Sequence, residues 1–279
     1  MLERKSAMEE DKKTETGLSR DTAWLLRNIG SAMREALNGS MAASELLGRR
    51  LEKGNLADEQ EYLAILRHDQ HRLLHIAENL TELGSLALGD VRAETEMQDL
   101  DLICAELTET LSAMIGRVRI TYESCGALCG VNGSRDRLET LILNVIAYSL
   151  NRCGEGDTIT LRTCRRGEEV CLFFRDNGKG AEGDSIATLY SALEQDPRLG
   201  VTQGGAGLGL LVAEGIARLY GGSLLLSAGE TGMEAVLTLP GSRTSMFRLP
   251  TMEYGNRLRG ILTVLSEELG RDKYMAPYL

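Results

Sequence analysis

Two glycine-bearing stretches carry residue types suited to holding a nucleotide. Asp176-Asn177-Gly178-Lys179-Gly180 follows the apolar run Val170-Cys171-Leu172-Phe173-Phe174. That run reads as a buried strand, so Asp176 stands at a strand end, where its carboxylate can accept a hydrogen bond from an exocyclic amine. Gly178 and Gly180 let a flat base approach the backbone. Further on, Gly204, Gly205, Gly207 and Gly209 feed an apolar-patterned helix through Leu210, Leu211, Ala213, Ile216, Ala217 and Leu219, with Gly221-Gly222 behind it. A flexible turn opening a helix presents unpaired N–H groups to an anion. Either stretch alone is also what an ordinary tight turn looks like; their order in one chain carries the signal.

Other side chains offer different chemistry. His68, His71 and His75 are the three histidines of the chain. Counted from Leu63 on a helix, all three fall on the outer face. A neutral imidazole nitrogen accepts a phosphoryl group near neutral pH, so these residues are displaced acceptors, a metal cluster or solvated surface groups, and the last is the expectation. The six cysteines are Cys104, Cys125, Cys129, Cys153, Cys164 and Cys171. Cys125 and Cys129 flank Gly-Ala-Leu with no second pair or histidine nearby, so the set reads as scattered reduced thiols rather than a zinc site.

These residues need elements to position them. Leu26, Ile29, Met33, Ala36, Ser40, Ala43 and Leu47 recur every three or four residues over Thr22–Leu51, and Leu63, Leu66, Gln70, Leu73, Ala77 and Leu80 do so over Asp58–Leu86. Gly54-Asn55 between them predicts an antiparallel hairpin. One hairpin is too thin to bury both seams, which predicts pairing with a second copy as a four-helix bundle. A polar linker at 87–98 leads to helices at Leu100–Met114 and Arg135–Leu150. Strands are expected at Val118–Tyr122, Thr158–Thr163 and Val170–Phe174, and a short helix at Ser185–Leu193. Beyond Gly241, SRTSMFRLP extends a strand, Asn256–Leu269 is an amphipathic helix and Lys273–Leu279 is tail. The division is 1–20 polar segment, 21–90 hairpin, 91–240 nucleotide-binding unit and 241–279 an extension of unassigned role.

In this order the two glycine stretches resemble the nucleotide boxes of the histidine kinase, gyrase, Hsp90 and MutL ATPase superfamily. Gly205, Gly207, Leu208 and Gly209 match the second glycine box; Asp176, Gly178 and Gly180 match the first. Ser223–Leu239 is similar to that fold's final strand pair. The hairpin is similar to the dimerisation and phosphotransfer domain of bacterial sensor histidine kinases, and the resemblance runs from about Ala23 to Pro240. It implies an α+β fold, a helical hairpin followed by an α/β sandwich, with ATP or ADP as ligand and 181–203 as a lid over the phosphates. It makes Arg135–Leu150 the asparagine-box helix, with Asn144 as the first asparagine. Arg152, beside the family's lysine place at Asn151, is within reach of a phosphate.

Two positions depart from that pattern. The place of the phosphoacceptor histidine is Ser31, followed by Ala32 where the family has an acid. The metal-chelating asparagine is replaced by Tyr148. Magnesium takes hard oxygen ligands, and a phenol with a pKa near ~10 is a poor one at neutral pH, so Mg²⁺ is not expected to be held and no metal ligand is assigned. The expected function is a dimeric signalling regulator or scaffold that has lost autophosphorylation and keeps an adenine site. The alternatives are an active kinase using Ser31 or a second-helix histidine, and a nucleotide-independent interaction module. A response regulator is the expected partner class.

Composition narrows the field. The chain has 279 residues, 43% of them hydrophobic but only 4% aromatic, so aliphatic side chains must build the core. A net charge of −10 argues against nucleic-acid binding. No apolar run reaches the ~20 residues of a membrane span, and the first residues lack an apolar signal core, which together predict a cytosolic protein.

Overall fold

The structure is a computed structural model and describes residues 20–51, 57–94, 96–180, 185–195, 206–228, 231–242 and 254–275. It opens with two long helices, α1 (Arg20–Leu51) and α2 (Ala57–Leu88), which pack side by side as the predicted hairpin. Two glycines set their separation. A Cβ on Gly30 would lie 2.5 Å from the Ala77 carbonyl oxygen, and one on Gly84 2.5 Å from that of Ala23. Side chains at either place would push the backbones apart. Where the α1–α2 seam lacks apolar residues, Gln70 donates to the hydroxyls of Ser40 and Ser44 at 2.8 Å.

A five-stranded sheet follows, in the order β2 (Arg119–Glu123), β4 (Thr158–Arg166), β5 (Glu169–Asp176), β7 (Met233–Pro240) and β6 (Ser223–Ala228). Only β2 and β4 run parallel. Alternation marks the covered face: Ile159, Leu161 and Thr163 on β4, then Met233, Ala235, Leu237 and Leu239 on β7, are buried. Against that face lie α3 (Leu100–Met114), α4 (Arg135–Leu150) and α6 (Ala206–Leu219), the layering of an α/β sandwich. A separate antiparallel pair, β1 (Met97–Asp99) and β3 (Gly130–Asn132), meets the chain just past β7 through a Val131–Gly241 bridge. A short helix, α5 (Ile186–Gln195), leans on α6.

The outer face of α2 departs from expectation. His71 and His75 are buried, at 6% and 3% exposure, rather than solvated. The cause is tertiary: the helical layer of the sandwich and the C-terminal segment both pack on this face. Gly215 of α6 meets Leu86, and α7 (Tyr254–Val264) lies along α2 and α4. His71 is 2.8 Å from the Thr263 hydroxyl.

The C-terminal segment is also not a loose tail. After α7 the chain turns into a short 3₁₀ helix, Arg271–Tyr274, whose Tyr274 is fully buried and donates to the Leu262 carbonyl at 2.8 Å. Arg67 of α2 donates to the Tyr274 and Met275 carbonyls, and Arg72 pairs with Glu267. Glu268 reaches the other way, to Arg117 and Asn151 of the sandwich. The segment therefore straps the two parts together. The expected strand at SRTSMFRLP lies, after Ser242, outside the described residues, as do residues 1–19 and 276–279. The polar linker is shorter than predicted, because α2 runs on to Leu88 and β1 begins at Met97.

Candidate nucleotide site

Asp176 ends β5, where the strand pairing with Ile159 of β4 fixes its backbone. It is 6% exposed. One carboxylate oxygen, Oδ1, accepts from the backbone N–H groups of Gly178 at 3.1 Å and Met233 at 3.2 Å. The other, Oδ2, is buried with no hydrogen-bond partner. A buried carboxylate oxygen left unpaired is costly, and an exocyclic amine is the donor that would satisfy it. The loop beyond is tied down tightly: Lys179 N–H donates to the Arg152 carbonyl at 3.0 Å, and Gly232 N–H to the Gly178 carbonyl at 2.8 Å. A Cβ on Gly178 would lie 2.8 Å from that Arg152 carbonyl oxygen, so the approach needs a glycine. Gly180, at the end of this loop, is half-buried.

The second glycine stretch reaches the same region from α6. Gly207, Leu208 and Gly209 form its first turn, while Gly204 and Gly205 lie outside the described residues, as does the lid apart from 185–195. A Cβ on Gly209 would collide with the Asn144 side-chain oxygen, so the asparagine helix and the glycine helix touch at this point. Asn144 and Gly209 thus meet between α4 and α6, while Gly178 meets Arg152 just beyond the end of α4, with Asp176 beside it at the end of β5.

One helical turn beyond Asn144, Tyr148 is buried at 4% exposure. Its hydroxyl accepts from the Arg152 guanidinium at 2.7 Å, and the same guanidinium lies over its ring, 4.4 Å from the centroid. The phenol is a weak ligand for a divalent cation, and a permanent positive charge already sits against its oxygen. Arg152, expected to be available to a phosphate, is engaged with Tyr148.

The contact between the hairpin and Asn144 was not predicted from the residue pattern. His75 Nε2 lies 3.2 Å from Asn144 Oδ1 and 2.9 Å from the Asn79 amide nitrogen. Burial lowers the His75 pKa to about 4, so the ring is neutral and Nε2 either donates to Asn144 Oδ1 or accepts from the Asn79 amide, not both. Asn144 Nδ2 is buried without a hydrogen-bond partner. Ser31 is exposed on α1.

Residues 133–243 match the model of the histidine kinase-, DNA gyrase B-, and HSP90-like ATPase family. That span holds Asn144, Asp176 and Gly209, and the fold and site define an ATPase domain of this class. Beyond it, the chain is 22% identical over 231 residues to the sensor protein KdpD of Clostridium acetobutylicum, covering 80% of this chain and 25% of that protein. It is 26% identical over 222 residues to sporulation kinase D of Bacillus subtilis, covering 77% and 41%. A crystal structure of full-length ShkA in complex with AMPPNP superposes with a TM-score of 0.62 over 81% of this chain and 47% of that one, at 20% identity. Over most of its length the chain is similar to sensor histidine kinases, and it spans between a quarter and just under half of the length of these relatives. Among the described residues, no helix is long and apolar enough to cross a membrane.

Proposed function

We propose that this chain is a histidine-kinase-like signalling protein that keeps an adenine site but has lost phosphoryl transfer, and that it acts as a dimeric regulator or scaffold. The observation that carries the proposal is Tyr148, buried and bonded to Arg152 where the family's metal ligand stands. Phosphoryl transfer depends on a metal-bridged, positioned triphosphate and a competent nucleophile. Asp176 Oδ2 would accept the adenine amine of ATP or ADP, Gly178 would let the base lie against the backbone, and the start of α6 at Gly207–Gly209 would face the phosphates. Tyr148 itself offers magnesium only a phenol, a weak ligand.

The nucleophile is missing on the same reading. Ser31 is exposed, but a serine hydroxyl needs a base, and Ala32 beside it offers none. The burial of His71 and His75 weighs against a displaced histidine acceptor. The hairpin would supply the dimer through 21–90, with 91–240 as the nucleotide unit and a response regulator as the partner class. Incubation of the purified chain with γ-phosphate-labelled ATP and Mg²⁺ tests this. The expected result is no label on the protein. Acid-stable label abolished by Ser31→Ala, or acid-labile label abolished by substitution at His68, would overturn it.

A further inference from the structure

Away from the nucleotide boxes, three metal-ligating side chains converge. Asp101 stands in the first turn of α3, and Cys125 and Cys129 lie on the loop between β2 and β3. One carboxylate oxygen and the two sulfurs all lie within 4.8 Å of one another. The sulfurs are 3.5 Å apart. A disulfide would bring them to ~2.05 Å, whereas two thiolates on one tetrahedral zinc, each ~2.3 Å from the metal, stand about 3.8 Å apart. The observed spacing is close to the second value.

The carboxylate is oriented as metal ligands are oriented elsewhere, by hydrogen bonds from behind. Tyr122 and Thr163 both donate their hydroxyls to Asp101 Oδ1, Thr163 at 2.6 Å. Ser124 donates to Oδ2 at 2.7 Å, which leaves Oδ2 a lone pair. Thr163 also accepts the Cys125 backbone N–H at 3.2 Å, so one hydroxyl fixes both the acid and the cysteine loop. Cys129 is buried while Cys125 is exposed, which gives an ion a way in from solvent.

We propose that Asp101, Cys125 and Cys129 form a binding site for a thiophilic divalent cation of the zinc class, with a coordination position left for solvent. The ion would pin the β2–β3 loop to the start of α3. Thr163 lies four residues along β4 from Ile159, the partner of Asp176, a separation of about 13 Å along the strand. The site is therefore distinct from the candidate nucleotide site and stands whether or not nucleotide binds.

The test is titration of the full chain, kept reduced with a non-thiol phosphine, with Cd²⁺ followed by cadmium–thiolate absorption. The expected result is saturation at one ion per chain, abolished by Cys125→Ser and by Cys129→Ser. Tyr122→Phe, which removes an orienting hydroxyl, should weaken binding roughly ten- to a hundred-fold. Because Cys125 sits on an exposed loop, Cys125→Ser should leave the far-ultraviolet circular dichroism unchanged. No thiolate band in the reduced chain, or a band that survives Cys125→Ser, would overturn the proposal.

Discussion

The chemistry of the candidate site turns on which atoms of a few side chains are already spoken for. Asp176 uses one oxygen to brace its own loop and leaves the other bare. In Asp176→Asn the amide must keep its oxygen toward the two N–H groups, so it would turn its NH₂ toward the adenine amine. Donor would face donor, and nucleotide affinity should fall roughly ten- to a hundred-fold, a cost of about 1.5–3 kcal/mol. Calorimetric titration with ADP checks this; unchanged affinity would mean the base binds elsewhere. Gly209→Ala would place a methyl on the Asn144 amide oxygen. Overpacking of this kind costs about 1–3 kcal/mol, which should appear as a lower urea midpoint. These residues were legible in the sequence because glycine and aspartate at such spacing have few other uses in combination. The partnership of Tyr148 with Arg152 follows from a four-residue helical spacing that the sequence also contained.

At the scale of elements, α2 does more than a hairpin helix needs to. One face meets α1, and another meets the sandwich and the C-terminal strap through His71, His75 and Arg67. Burial lowers both histidines from 6.5 to about 4; Arg259, His68 and Arg67 add to the effect at His71, while the Asn144 contact opposes it at His75. The unfolded chain therefore binds more protons than the folded one between these values. The stability from keeping the rings neutral is fully present above pH 6.5 and is lost as pH falls toward about 4, by about 1.4 kcal/mol per pH unit for each ring. Burial raises the carboxyls of Glu78, Glu139 and Glu268, which works in the opposite sense. The measurement is therefore a comparison of urea unfolding across this range between the natural chain and a His71→Asn/His75→Asn variant, which should show the shallower acid loss. Helices α3 and α4 end where their patterns end, and were readable to the residue. The β1–β3 pair was not, since three residues per strand hold no periodicity. Nor was the burial of His71 and His75, because a helical count from Leu63 knows only the helix and not what docks on it.

For the molecule as a whole, the hairpin leaves large apolar side chains exposed. Ile29 and Leu47 on α1 are each 49% exposed, and Leu66 and Leu73 on α2 are 45% and 44% exposed. Leu66 and Leu73 are one heptad apart and share a face, and Ile29 and Leu47 do so five turns apart. Leu66→Glu/Leu73→Glu should convert a dimer to a monomer in sedimentation equilibrium; a natural chain that is already monomeric would refute the pairing. The sandwich was legible as a class because its strands and boxes come in a recognisable order; the C-terminal helix was legible too, but not its docking as a strap, since its segment's partners lie up to 208 residues away in the chain. The central claim is that the nucleotide site survives without its metal. Calorimetric titration with ATP, with and without Mg²⁺, tests it most directly when run on the natural chain and on Tyr148→Asn. The account predicts the same affinity for the natural chain in both conditions, and a gain of roughly ten- to a hundred-fold with Mg²⁺ for the variant. Magnesium-dependent tightening in the natural chain, with no gain in the variant, would contradict it.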